Sequence, residues 1–313
     1  MRSIHNKLVI IGSGPAGLTA SIYAARGGIE PLVISGHEPG GQLMYTTEVE
    51  NYPGFDEPIL GPILMEKMRK QTQRFGTRFV DKAISSVDFS SKPFRVRCSN
   101  SDNNIEEYFA DSVIIATGAS AVWLGLESEQ RLRGRGVSSC ATCDGFFFKG
   151  KDVVVVGGGD TAMEEALFLI KFTNSVKVIH RRDKLNASAI MQQKAFRNEK
   201  ISFLWNTVVE DIIGDNKVKS VRVKKIFTEQ TSDIRTDGVF VAIGHKPNTD
   251  LFKGQIELDE RGYIKKYEES KTNIEGVFVA GDVYDYRYRQ AVTAAGSGCK
   301  AALDVINYLE SKN

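Results

Sequence analysis

Cys140-Ala141-Thr142-Cys143-Asp144-Gly145 sets two thiols two residues apart and follows the second with a carboxylate. That spacing lets the pair close an internal disulfide and tends to depress the pKa of one thiol, so that a thiolate is available as nucleophile. Asp144 stands where a proton must move whenever a thiolate leaves or returns. The competing reading of the same pair is half of a zinc site. A structural zinc takes four ligands, from a second such pair or from Cys with His. The other cysteines, Cys98 and Cys299, are single and distant, and the four histidines do not pair with them, so no metal ligands are assigned. Cys98 and Cys299 are expected to be inert small hydrophobes. His5, His37 and His245 have no constellation around them and receive no catalytic role.

The elements that must position this chemistry are marked by glycine. The apolar run Lys7-Leu8-Val9-Ile10-Ile11 ends in Gly12-Ser13-Gly14-Pro15-Ala16-Gly17 and continues into residues with helical apolar spacing. This is the strand, glycine turn and helix of a dinucleotide-binding fold: Gly12 for the tight turn, Gly14 for approach to a pyrophosphate, Gly17 for helix packing. The next strand, Pro31-Leu32-Val33-Ile34, lacks an acidic residue at its end, and Glu38 is a displaced candidate for a ribose hydroxyl. The pattern recurs at Asp152-Val153-Val154-Val155-Val156, followed by Gly157-Gly158-Gly159-Asp160-Thr161-Ala162, so a second nucleotide is expected. Its second strand, Val176-Lys177-Val178-Ile179, runs into His180-Arg181-Arg182. Two guanidinium groups where an NAD enzyme carries a carboxylate suit a 2′-phosphate, which points to NADPH.

Two apolar strands closing on Ala116-Thr117-Gly118 and Ala242-Ile243-Gly244 resemble each other, and each reads as the strand that leaves a nucleotide fold. The expectation is an α/β protein with two Rossmann-like, three-layer nucleotide-binding domains, the second inserted into the first. The first spans 1–120 and 248–313, and the second, carrying the thiol pair, spans 121–247. A further strand ends in Gly281-Asp282, whose carboxylate could bind a chain of hydroxyls. The 313 residues suffice for two domains, and a net charge of +2 over 41 basic and 39 acidic residues carries no nucleic-acid or membrane signature. The start runs into a strand within about six residues, with no apolar run of membrane-spanning length. No leader and a cytoplasmic location are expected.

Taken together these residues resemble the low-molecular-weight thioredoxin reductases of bacterial and fungal type. The resemblance covers essentially the whole chain and includes Gly40-Gly41-Gln42-Leu43, Glu50-Asn51-Tyr52-Pro53-Gly54, His180-Arg181-Arg182-Asp183 and Arg289-Gln290-Ala291 besides the motifs above. It implies an FAD enzyme that carries electrons from NADPH to the disulfide of thioredoxin, as a homodimer. Ser13, Gly14, Pro15 and Ala16 would hold the FAD pyrophosphate; Gly40, Gly41, Gln42, Asn51, Ile84, Thr117 and Gly118 would line the cofactor. Asp282, after Gly281, would take the ribityl chain, and Arg289, Gln290 and Ala291 would lie beside the flavin. Gly157, Gly159, Asp160, Thr161, His180, Arg181 and Arg182 would serve NADPH. Cys143 would be the flavin-side thiol, Cys140 the one that attacks thioredoxin, and Asp144 the general acid or base. Arg135, Phe146 and Phe147 would meet the partner, while Phe148 is expected in the core. One position departs from the family pattern: Asn186 replaces the usual third arginine, which predicts a smaller preference for NADPH over NADH. The alternatives are an NADPH flavoprotein reductase serving another protein disulfide or a peroxiredoxin system, and a non-enzymatic nucleotide-binding module.

Overall fold

The computed structural model describes residues 3–36, 38–99 and 105–312; His37 lies outside them. The chain divides into two compact units, Met1–Ser120 with Lys246–Asn313, and Ala121–His245.

In the first unit the strands Arg78–Val80, Pro31–Ile34, Ser3–Ile11 and Ile105–Ile115 lie side by side in that order and run parallel. The far edge of Ile105–Ile115 carries Val277–Val279, parallel to its last residues, and the antiparallel pair Phe94–Ser99 and Ala83–Asp88. Leu8 through Ile11 are all buried because a parallel sheet is covered on both faces and its strands are continuous apolar runs. Alternation then sorts the side chains. Val9, Ile11, Val113, Ile115 and Val279 enter one core. Leu8, Ile10, Ile114 and Phe278 enter another, against Ala20 and Ala24 of helix Pro15–Arg26 and Ala301, Ala302 and Val305 of helix Ala291–Glu310. The parallel register, with Ile11 beside both Ile34 and Ile115, and Ile115 beside Val279, brings four strand C-termini to one edge. The Gly12 turn, Ala116–Gly118 and Gly281–Asp282 begin there.

The second unit repeats the plan with a five-stranded parallel sheet ordered Val137–Ser138, Gly238–Val241, Asp152–Val156, Ser175–Ile179, Ile201–Leu204. Val153, Val155, Val178 and Phe240 face Ala162, Met163, Ala166 and Leu169 of helix Asp160–Leu169. Val154, Val156, Val239 and Val241 face Ile212, Val221 and Val223 of an antiparallel three-stranded layer, Thr207–Gly214, Val218–Lys225 and Thr231–Arg235. The carboxyl edge of this sheet carries the Gly157 turn, His180–Arg182 and, two residues past its edge strand, Cys140. The segments crossing between the units, Ala119–Ala121 and His245–Pro247, pair as a two-stranded sheet. Among the described residues no helix is long and apolar enough to cross a membrane.

Candidate active site

Cys140 and Cys143 are joined in a disulfide, with Cα atoms 5.3 Å apart. The short helix Ala141–Asp144 sets that separation: the amides of Cys143 and Asp144 both donate to the carbonyl of Cys140, at 3.2 and 3.1 Å. Ala141, 1% exposed, anchors the turn in the core, while Cys143 is exposed and Cys140 half-buried. Thr142 Oγ1 lies 3.3 Å from Cys140 Sγ. Burial raises the carboxyl of Asp144 above its ordinary range, opposed in part by the nearby Ser138 side chain. A carboxyl shifted toward neutrality beside a thiol pair is suited to hold and return a proton. Phe148 is buried edge-on against Phe240, as expected of a core residue. Phe147 packs partly against the same core, whereas Phe146 is 58% exposed and Arg135 is exposed.

At the first glycine turn, Gly12 has φ +110°, and a Cβ there would stand 2.3 Å from the Ala116 carbonyl oxygen of the neighbouring strand end. Only glycine permits that approach. Gly14 is the opposite case: a Cβ on it would meet nothing within 4 Å, so the backbone ahead of helix Pro15–Arg26 is open to a ligand. Ser13 Oγ accepts the Gly40 amide at 3.0 Å, which ties Gly40 and Gly41 to the turn. Gln42 and Glu38 are exposed on the same connection, and Ile84 lies half-buried against the first core. Asn51 Nδ2 donates to Gln290 Oε1 at 3.3 Å, joining the Asn51 loop to the Arg289-Gln290-Ala291 entry of the last helix. Thr117 and Gly118 are bound to Asn248: Thr117 Oγ1 donates to its carbonyl at 2.8 Å, and its amide donates to the Gly118 carbonyl at 3.0 Å. Asp282 supplies the decisive feature, a buried carboxylate oxygen, Oδ1, with no hydrogen-bond partner. Burial, reinforced by Asp285, pushes its pKa up to about 7. A buried acceptor left unmatched within the protein fits a hydroxyl-bearing ligand. An open phosphate turn and an unmatched carboxylate at one sheet edge fit FAD.

The second turn reuses this backbone with different walls. A Cβ on Gly157 would lie 2.3 Å from the Ala242 carbonyl oxygen, and one on Gly158 would lie 2.2 Å from Cε1 of His180. The His180 imidazole, 7% exposed, is thus stacked on the turn, with Nε2 donating to the Lys184 carbonyl at 2.9 Å. Burial holds its pKa below the ordinary value, with Arg182 and Arg181 adding to the effect. Its place is structural support beneath the turn. The loop after it folds back: the Asn186 amide donates to the Gly158 carbonyl at 2.7 Å and the Ser188 amide to Asp160 Oδ1 at 2.7 Å. Gly159 meets nothing within 4 Å. Thr161 is half-buried in the first turn of the helix, and Arg181 and Arg182 project into solvent, Arg182 Nη1 donating to Asn186 Oδ1 at 3.4 Å. Two exposed guanidinium groups beside an open glycine turn fit a phosphorylated nucleotide.

Sequence reasoning passed over three contributors. Gly158 belongs to the motif but carries no site role until the His180 ring is seen against it. Ser138 and Ser188 act through contacts that no spacing announces. Cys98 sits 0% exposed in the first core with its thiol pushed up to about 11 by burial, and is inert at neutral pH. Among the described residues no group of three His, Cys, Asp or Glu is placed to hold a metal.

Residues 6–298 match the model of the pyridine nucleotide-disulphide oxidoreductases. The chain is 52% identical over 310 residues to a thioredoxin reductase of Rickettsia prowazekii, covering 98% of this chain and 99% of the relative. It is 49% identical to that of Coxiella burnetii, covering 99% and 98%. The solved thioredoxin reductase of Giardia duodenalis superposes with a TM-score of 0.92 at 43% identity, covering 98% of this chain and 99% of that one. With its disulfide next to a half-buried carboxyl and its two glycine turns, the chain belongs to the pyridine nucleotide-disulphide oxidoreductases and, among them, to the thioredoxin reductases.

Proposed function

We propose that the two units divide a single electron relay, with 1–120 and 248–313 as the FAD-binding domain and 121–247 as the NADPH-binding domain that carries the thiol pair. The chain is a thioredoxin-disulfide reductase using FAD and NADPH. The observation that carries the reading is the Cys140–Cys143 disulfide, held in a four-residue helix beside the raised carboxyl of Asp144. FAD and NADPH, when bound, supply the two electrons as a hydride and its passage to the disulfide. Gly12 to Gly17, Gly40, Gly41, Gln42, Asn51, Ile84, Thr117, Gly118, Gly281, Asp282 and Arg289 to Ala291 would hold FAD, with Glu38 near the ribose. Gly157, Gly159, Asp160, Thr161, Arg181 and Arg182 would hold NADPH, over the His180 ring.

Two electrons and two protons convert the Cys140–Cys143 disulfide to a dithiol. The Cys140 thiolate then attacks one sulfur of thioredoxin's disulfide, and the other sulfur leaves as a thiolate that takes up a proton. Cys143 attacks Cys140 in the mixed disulfide, closing the internal bond and releasing thioredoxin with both thiols reduced. Cys143 is the thiol on the flavin side. Asp144 gives up its proton as a thiolate leaves and recovers it as a thiol is deprotonated. Arg135, Phe146 and Phe147 form the docking surface, supported by the exposure of Phe146 and Arg135. The working form is a cytoplasmic homodimer. The test is NADPH-dependent reduction of thioredoxin with Cys140→Ser and Cys143→Ser. Each variant should lose thioredoxin turnover by at least about a thousandfold while NADPH still bleaches the flavin. Retained turnover in either would sink the relay.

A further inference from the structure

The thiol helix Ala141–Asp144 runs directly into the short turn Gly145–Phe148, so Phe146 stands three residues after Cys143. A ring 58% exposed is ordinarily free to exchange between rotamers. This one has a neighbour that restrains it: the ring of Phe172 meets it edge-on, with centroids 5.9 Å apart and planes at 81°. Phe172 lies half-buried in the turn that follows helix Asp160–Leu169 and leans on Phe168 of that helix, at 5.5 Å between centroids. The backbone fastens the two turns together. The Gly150 amide donates to the Phe172 carbonyl at 3.0 Å, and the Asn174 amide donates to the Lys151 carbonyl at 2.9 Å. Asn174 Nδ2 donates to the Gly150 carbonyl at 2.7 Å. At the start of the segment, a Cβ on Gly145 would stand 3.2 Å from Leu169 Cδ2 and 3.5 Å from Phe168 Cε1, so the end of the thiol helix is seated on the same helix end.

We propose that Phe172 is a positioning residue for partner docking: its ring holds the exposed Phe146 ring in place before thioredoxin arrives. The proposal rests on the reading of Phe146 as a docking residue. Ordering a mobile side chain at an interface costs binding free energy, and a side chain ordered in advance avoids that cost. An edge-to-face pair suits the task, because the positive rim of one ring meets the negative face of the other and fixes their relative orientation. Phe172 lies outside both glycine turns and outside the thiol helix. Its loss therefore weakens the docking of thioredoxin and leaves the passage of electrons from NADPH to the flavin unchanged.

The experiment measures kcat and KM for oxidised thioredoxin with the full chain carrying FAD, alongside the rate at which NADPH bleaches the flavin. Phe172→Leu keeps an apolar side chain and removes the ring. It should raise KM for thioredoxin about fivefold, the size expected when one aromatic pair is lost, with kcat and flavin bleaching at their wild-type values. Phe172→Tyr, which keeps the ring, should retain the wild-type KM. Phe146→Ala should raise KM about thirtyfold, as for an aromatic anchor, and adding Phe172→Leu to it should raise KM no further. A fivefold rise that persists on the Phe146→Ala background means that Phe172 acts without Phe146, and it overturns the proposal. So does a Phe172→Leu variant that slows flavin bleaching as well, since a general loss of structure then explains it. An unchanged KM in Phe172→Leu beside a raised one in Phe146→Ala overturns the proposal alone. An unchanged KM in Phe146→Ala overturns the docking reading of Phe146 and the proposal with it.

Discussion

The two glycine turns are the same backbone device set in opposite electrostatic surroundings. In each, the first glycine abuts the carbonyl oxygen of a neighbouring strand end, Ala116 or Ala242, at the same 2.3 Å from an added Cβ, and a later glycine is left open toward solvent. On the proposed assignment, the recognition group around the first turn is a carboxyl in a dry place, Asp282, lacking a partner for Oδ1. Around the second the proposed recognition groups are cations in a wet place, Arg181 and Arg182. Both turns can receive a phosphate through backbone N–H groups, so the walls and not the turn decide which nucleotide enters. A buried acceptor selects hydroxyls because they can donate without bringing charge. Exposed guanidinium groups select a phosphate.

Matched substitutions break this comparison most severely. Gly12→Ala should leave the purified chain without flavin colour, because the Cβ drives the turn off the Ala116 carbonyl. Gly157→Ala should keep the flavin and lose NADPH binding. Each carries a local strain of about 2–4 kcal/mol. Flavin absorbance per chain and titration with NADPH separate the two losses; a shared loss in both variants would end the idea of independent turns.

A smaller effect concerns Asp282, whose carboxyl moves from an ordinary 3.8 to about 7. The folded chain without FAD keeps a proton there that the unfolded chain has already released. This group's contribution to stability is therefore full below pH 3.8 and is lost as pH rises toward about 7. Each unit of that interval corresponds to about 1.4 kcal/mol. Denaturant unfolding of flavin-free protein should show the decline, and Asp282→Asn should flatten it; an unchanged slope in the variant removes Asp282 as its source.

The smallest effect sharpens the second turn. Arg182→Ala should cost NADPH about tenfold in kcat/KM and leave NADH nearly unchanged, while Asn186→Arg should raise the preference for NADPH. Steady-state kinetics with both cofactors decides this, and equal values for the wild type would overturn the assignment to NADPH.

Much of the site was legible because its signals are local. Gly12-x-Gly14-x-x-Gly17 follows its strand directly, Cys140 and Cys143 lie within one turn of helix, and the continuous apolar runs of both parallel sheets identify their strands. His180 was legible as part of a motif but not in its task, since only folding brings its ring onto Gly158. The burial of Phe148 was anticipated; the half-burial of its neighbour Phe147 depends on a core assembled from residues distant in sequence.

Sequence by itself determined the chemistry available: a thiol pair with an adjacent acid, two turns able to approach phosphates, and guanidinium groups after the second. These depend on covalent spacing and on the absence of a side chain, which no fold can alter. Tertiary structure alone decided the protonation and partners of those groups. Asp282 and Asp144 are ordinary carboxylates until packing removes their water, and Ser138 is an ordinary strand serine until the edge of the sheet sets its hydroxyl against the Cys140 amide. Desolvation and hydrogen-bond geometry belong to the folded chain, and they turn a list of reactive groups into a site.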